Sequence, residues 1–368
     1  MRTSRSLSLL AAALTLGLSA APAARAENPV TVGGEQLSAS GVVVDSAAPS
    51  LPPTAAAGWL VADLDSGEVL AARDPHGRFA PASTLKTLTA LTLIPALDPH
   101  TQVTPTFDDV NVDGSKVGLV QGIAYPVSQL FTAMLVVSGN DAANTLATAN
   151  GGLGKTVDEM NAEATRLRAF DTHAATPNGL DAPHQLSSAY DLALIARAGM
   201  QLPAFRDYVR TKHSKIRGPG GKTIAISSHD KLLYNYDGAI GIKNGYTVKA
   251  RATFVGAATR NGHTLVVTLM RTNPRYWPEA AALLDWGFAA KAAGASPVGQ
   301  LVEPVDSGNA TPTPEPIVAA PHVRKATSAS KAFVSTPLLS AGLVSVGGVL
   351  MSRRLRRRGR GRMKLPPL

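Results

Sequence analysis

The chain has 368 residues, 45% of them hydrophobic and 17% charged, with no cysteine, so a large core is possible while a disulfide framework or thiolate metal site is excluded. The formal charge of +10 is confined to the ends: Arg2, Arg5 and Arg25 lie at the start and eight further basic residues fall in 353–368, leaving 25 basic against 26 acidic residues over 27–352. A nearly neutral body excludes a folded polyanion-binding domain, and no nucleic-acid partner is expected.

In chain order, Arg2 and Arg5 precede the apolar run Leu7–Ala20, and Ala24-Arg25-Ala26 supplies small residues at −3 and −1. That order predicts a signal peptide over 1–26, cleaved after Ala26. Residues 27–56, rich in Ala, Ser, Gly and Pro, read as a flexible lead-in. A body over 57–292 follows. Gly58–Ala72 reads as a hairpin, with strands at 59–64 and 68–70 about an Asp65-Ser66-Gly67 turn. Helical patterns follow at 83–93, 127–137, 140–149, 156–168 and 187–200, and Ile240-Gly241-Ile242 reads as a strand leading into 243–247. Residues 253–258 and 264–270 flank Asn261-Gly262, a strong two-residue hairpin signal, and Pro278 suits the first turn of a helix over 278–291. This order predicts an α/β fold, an antiparallel sheet flanked by helices with a helical lobe. Beyond the body, 293–331 carries six prolines among Ala, Ser and Thr and reads as a stalk. Residues 332–352 follow; the stretch 332–351 is 20 residues without a charge, about 30 Å as a helix and long enough to cross a bilayer. Arg353, Arg354, Arg356, Arg357 and Arg358 then open a basic tail over 353–368, placing the tail in the cytoplasm and the body outside.

Three short segments carry chemistry. In Pro81-Ala82-Ser83-Thr84-Leu85-Lys86, a three-residue step brings Ser83 and Lys86 to neighbouring positions on one helix face. A serine hydroxyl becomes a nucleophile when a base lies within hydrogen-bond reach, and a neutral lysine can be that base. Alone, the pair reads as a helix cap and a solvated lysine. Ser138-Gly139-Asn140 lies at a turn between two apolar helices, and Lys243-Asn244-Gly245-Tyr246-Thr247 ends a strand; each is ordinary by itself. The eight histidines form no H-E-x-x-H, so no metal is expected, and no cofactor fingerprint is present; Gly151–Lys155 reads as a loop.

Taken together in this order, the segments resemble the S-x-x-K, S-x-N and K-T-G motifs of the low-molecular-mass penicillin-binding proteins of the D-alanyl-D-alanine carboxypeptidase family. Ser138–Ala143, Met160-Asn161, Asn178-Gly179-Leu180, Ser188–Asp191 and Leu284–Phe288 look like family sequence as well. Asn244 departs from the pattern, replacing the usual threonine with another hydrogen-bond donor. The resemblance implies an exported serine carboxypeptidase that trims the peptidoglycan stem peptide and is acylated by β-lactam antibiotics. Ser83 would be the nucleophile, Lys86 its base, Ser138 a proton relay and Asn140 a holder of Lys86 or substrate. Lys243, Asn244, Gly245, Tyr246 and Thr247 would form the substrate-binding strand, with the Ser83 and Tyr246 backbone N–H groups at the oxyanion. Two alternatives remain at this point: a β-lactamase-like hydrolase on the same fold, and a catalytically silent peptidoglycan-binding module.

Overall fold

The computed structural model describes residues 31–305. The expected leader, most of the stalk, the segment 332–352 and the basic tail lie outside the described residues, as does all of a second compact unit over 312–368. Among the described residues, no helix is long and apolar enough to cross a membrane.

The elements are, in order, β1 (Val42–Val44), β2 (Gly58–Asp63), β3 (Glu68–Arg73), α1 (Lys86–Leu93), β4 (Gln102–Val103), α2 (Phe107–Val110), β5 (Tyr125–Pro126), α3 (Val127–Val136), α4 (Asn140–Ala149), α5 (Leu153–Arg166), α6 (Ala189–Gln201), α7 (Pro203–Val209), β6 (His213–Arg217), β7 (Thr223–Ser227), α8 (Leu232–Asn235), β8 (Ala239–Thr247), β9 (Arg251–Arg260), β10 (His263–Thr272), α9 (Trp277–Ala292) and β11 (Gly299–Gln300). Seven strands make one sheet in the order β1-β3-β2-β10-β9-β8, with β11 also on β3, and every pairing is antiparallel. Two local turns build most of it. Asp63 Oδ1 accepts from Asp65 N at 2.9 Å and Ser66 N at 3.2 Å, closing β2 onto β3. Asn261, with φ of 51°, leads the tight turn between β9 and β10.

The strands read as apolar runs because both faces of the sheet are covered. Leu60, Ala62, Val255, Ala257, Val266 and Met270 join the core shared with α1, α3 and α6. Their sequence neighbours Trp59, Val61, Phe254, Val267 and Leu269 pack with Leu283, Leu284 and Trp286 of α9. Burying each large apolar side chain contributes about 1.5–3 kcal/mol, so this double layer gives the site a rigid floor.

The folded region extends past the expected bounds of 57–292. In the expected flexible lead-in, β1 pairs with β3 from Val42↔Arg73 to Val44↔Ala71, Trp286 Nε1 donates to Pro49 O at 2.8 Å, and Glu279 Oε1 accepts from Ala55 N and Ala56 N. In the expected stalk, β11 adds to β3, and Arg197 reaches Leu301 O at 3.1 Å and Glu303 at 2.8 Å. Short runs among Ala, Ser, Gly and Pro hid both segments because what these segments offer is largely their backbone, which pairs with the β3 edge or meets distant side chains whatever their own side chains are. The β6–β7 hairpin and α7 were also absent from the expectation, and the segment expected as a loop at 151–155 already starts α5 at Leu153.

Candidate active site

The residue before Ser83 is bent out of the helical path: Ala82 has φ of 49°, and a short 3-10 turn over Ala82–Leu85 leads into α1. Two hydroxyls hold that bend, Thr84 Oγ1 donating to Pro81 O at 2.6 Å and Thr253 Oγ1 of β9 donating to the same carbonyl at 2.7 Å. Ser83 is thereby half-buried at the groove, and Lys86, one turn on, is completely buried. The Lys86 amine lies 2.9 Å from Ser83 Oγ and donates to Asn140 Oδ1 at 2.7 Å and to the Asn178 carbonyl. No carboxylate is among those partners. Burial first, and then the positive charge of Lys243, hold the amine well below the ordinary lysine range, against a weaker opposing pull from Asp141.

Asn140 is aimed by its surroundings. It opens α4, its Nδ2 donates to Asp113 O at 2.7 Å, and its backbone N donates to Ser115 O at 2.7 Å, which leaves Oδ1 for the lysine. Next to it, buried Asp141 pins the preceding loop by accepting from Val117, Gly118 and Leu119 N at 2.8–3.0 Å. Ser138 lies at the turn between α3 and α4, 5% exposed and with φ of 62°. Its hydroxyl makes no hydrogen bond among the described residues.

The third wall is β8, the last strand of the sheet. Lys243 is buried, with its amine donating to Asn244 O at 2.7 Å; burial draws it down to about 7, and the charge of Asp230 opposes that fall. At Gly245 the backbone itself touches the nucleophile turn, since a Cβ there would stand 2.6 Å from Ser83 N and 2.7 Å from Thr253 Oγ1. Only glycine fits. Asn244 is half-buried, and its side chain makes no hydrogen bond among the described residues. Tyr246 is 59% exposed, and Thr247 Oγ1 donates to Asp181 Oδ1 at 2.9 Å.

Three segments 50 or more residues apart thus meet at one serine hydroxyl and two buried amines. The family profile of D-alanyl-D-alanine carboxypeptidases matches residues 45–273, which contain all three. The chain belongs to the D-alanyl-D-alanine carboxypeptidase family. The carboxypeptidase DacB2 of Mycobacterium tuberculosis is 45% identical over 246 residues, 65% of this chain and 84% of that protein. DacD of Escherichia coli is 32% identical, covering 65% of this chain and 64% of that one. A solved D-alanyl-D-alanine carboxypeptidase from Mycobacterium tuberculosis superposes with a TM-score of 0.67 at 44% identity, over 70% of this chain and 99% of that one. The Streptomyces K15 DD-transpeptidase follows with a TM-score of 0.62 at 28% identity, over 66% and 100% respectively. The enzyme is therefore a serine-type carboxypeptidase of the α/β class described above.

Sequence reasoning missed four contributors to this carboxypeptidase site. The Asn178 carbonyl is a partner of Lys86, its side chain is fixed by Asn144 Oδ1 at 2.9 Å, and Gly179 packs against the carbonyl of Ala82. Asn178-Gly179-Leu180 stood among the family-like segments, but a backbone acceptor leaves no mark in residue type. Thr253 reads as an ordinary strand residue, and Asp230 as a solvated acid. The sequence also hides a cluster away from the groove. The ligand atoms of His76, Asp171 and Asp191 lie within 4.8 Å of one another, close enough to share a metal ion, a grouping that was not expected. The cluster is already internally bonded: His76 Nδ1 meets Asp171 Oδ2 at 2.7 Å, its Nε2 faces Val32 O at 3.0 Å, and Thr172 Oγ1 donates to Asp191 Oδ2 at 2.7 Å.

Proposed function

We propose that this carboxypeptidase removes the terminal D-alanine of a peptidoglycan stem peptide through an acyl-enzyme on Ser83. The observation that carries the reading is the 2.9 Å contact between Ser83 Oγ and a fully buried Lys86 amine that has no carboxylate partner. An amine held neutral can take the hydroxyl proton as Oγ bonds to the carbonyl carbon of the penultimate D-alanine. Asn140 Oδ1 and the Asn178 carbonyl keep the amine oriented toward that proton. The backbone N–H groups of Ser83 and Tyr246 would stabilise the developing oxyanion; a donor of this kind contributes about 3–4 kcal/mol in related chemistry. Collapse of the tetrahedral species breaks the peptide bond, the departing D-alanine nitrogen receives a proton through Ser138, and water then attacks the ester to restore Ser83. Lys243, Asn244 and Thr247 would receive the substrate's terminal carboxylate, with Gly245 and Tyr246 pairing to its backbone. Each of these steps is carried by side-chain and backbone groups of the chain and by water.

The expected leader, stalk, apolar segment 332–352 and basic tail support an exported enzyme tethered outside the cytoplasmic membrane, with β-lactams as covalent inhibitors. Right-side-out cells treated with protease should lose the body and keep the tail; loss of the tail instead would overturn the tether. For the chemistry, intact mass after penicillin exposure should rise by one penicillin, and the adduct should map to the peptide containing Ser83. A Ser83→Ala protein that still formed the adduct would remove the nucleophile assignment. Slow release of the adduct, together with D-alanine release from a pentapeptide mimic, is expected; rapid penicillin turnover would favour the β-lactamase reading, and absence of D-alanine the silent module.

A further inference from the structure

Behind the groove, the segment from Ser228 to Leu233 joins two of its walls. His229 N donates to Val136 O at 3.1 Å, two residues before Ser138, and α8 at the other end of the segment packs on β8. Between them stands Asp230. Its backbone N donates to Ser228 Oγ at 3.2 Å, and its Oδ1 accepts from Leu232 N at 2.8 Å. The residue is 4% exposed, and its Oδ2 is fully buried with no hydrogen-bond partner among the described residues. The carboxylate lies beside the backbone of Ile242, the residue preceding Lys243. Lys243, 1% exposed, has three N–H donors and engages one of them, on Asn244 O. A buried cation short of acceptors and a buried carboxylate oxygen short of donors therefore sit on adjoining segments.

Neither condition is stable alone. An uncompensated buried charge is strongly disfavoured, so each group either finds an opposite charge or gives up its own. We propose that Asp230 is a positioning residue for the reaction, the counter-charge that keeps Lys243 cationic and able to hold the terminal carboxylate of the substrate. This rests on the reading of Lys243 as the carboxylate anchor. A capping role alone would not need the charge, because an asparagine oxygen would accept from Leu232 N equally well. The electrostatics agree in direction: burial draws Lys243 down to about 7 and pushes Asp230 up to about 6, and each charge supports the other. The other titratable groups around the pair include His229 and Lys231 on the same segment, Lys86 of α1, which the Lys243 charge depresses, and Tyr276 just before α9, which the Asp230 charge raises. Holding the charge on Lys243 therefore also helps keep Lys86 neutral. The carboxylate thus serves the base at second hand.

The test is kcat and KM for D-alanine release from a D-Ala-D-Ala peptide across pH, on the full chain and on Asp230→Asn, Asp230→Glu and Lys243→Met. Asp230→Asn is expected to raise KM about tenfold with kcat within about threefold, and to move the descending limb of kcat/KM to lower pH by about one unit. The sign follows from losing the charge that raises Lys243, so its proton leaves earlier as pH climbs. Asp230→Glu should restore most of the limb, which a merely structural role would not do. If Lys243→Met raises KM while Asp230→Asn changes neither KM nor the limb, the proposal fails and the anchor reading stands. If Lys243→Met leaves KM unchanged, the anchor reading itself fails and the proposal with it. Should Asp230→Asn not fold, 13C NMR of Lys243 Cε and Asp230 Cγ in the unaltered protein decides the matter: a coupled titration supports the pair, and two independent curves overturn it.

Discussion

Two buried polar clusters lie on either side of the turn that presents Ser83, and their charge balance is opposite. Around His76, the charges in contact are opposite, Asp171 bonding His76 at 2.7 Å and Arg78 at 3.0 Å, while Asp191 beside them accepts from the Thr172 hydroxyl. Around Lys86, an amine is surrounded by neutral oxygens, and the charge that acts most strongly on it is another cation, Lys243. The first arrangement fastens the segment before Ser83 to α6 and the 171–187 loop, where Phe79 and Ser187 exchange backbone hydrogen bonds at 2.8 and 2.9 Å. The second holds an amine well below its ordinary range beside a serine hydroxyl. Compensated burial makes structure, and uncompensated burial makes reactivity.

The comparison breaks most sharply at the base. Lys86→Met should fold, since a linear apolar side chain suits the buried site, yet acylation by penicillin should slow by about 10³-fold or more, read by stopped mass spectrometry. Retained acylation would mean that another group takes the Ser83 proton. Asn140→Ala leaves the amine in place but frees its orientation, and acylation should slow by about 10²-fold with the melting temperature little changed. Gly245→Ala forces a Cβ against Ser83 N and Thr253 Oγ1, so it should lower kcat/KM by about tenfold or more while the sheet remains folded. On the compensated side, His76→Ala should lower the melting temperature by several degrees through the freed Asp171, whereas the penicillin adduct should still form at Ser83.

The smallest effect is one of pH. Burial, and then the charge of Asp171, push the Asp191 carboxyl up to about 7, above its ordinary value of 3.8. The folded state therefore binds this proton more tightly than the unfolded state, and Asp191 adds stability at acid pH that is lost as pH rises from about 4 to about 7. Asp191→Asn cannot titrate, so its melting temperature relative to the parent should improve steadily over that range. A constant difference between the two proteins would show that the carboxyl titrates normally.

Local signals were legible wherever neighbours in sequence are neighbours in space. The Asn261-Gly262 turn announces its hairpin, the three-residue step from Ser83 to Lys86 announces their shared face, and α4 begins and ends where the apolar spacing places it, Asn140–Ala149. What escaped notice depends on backbone groups or on burial. The β1 and β11 pairings on β3 are made by main-chain atoms of strands only three and two residues long, and the Asn178 carbonyl that holds Lys86 belongs to any residue type.

By itself, the sequence determined which side chains are available for acyl transfer, their order along the chain, and the apolar runs that must be covered on two faces. Only the tertiary structure decided that the amines of Lys86 and Lys243 lose water and press on each other, that Gly245 must touch Ser83, and that Asp230 is buried rather than solvated. The reason is physical: a side chain's identity is written at its own position, but its charge state depends on the solvent and neighbours it loses when distant segments close around it.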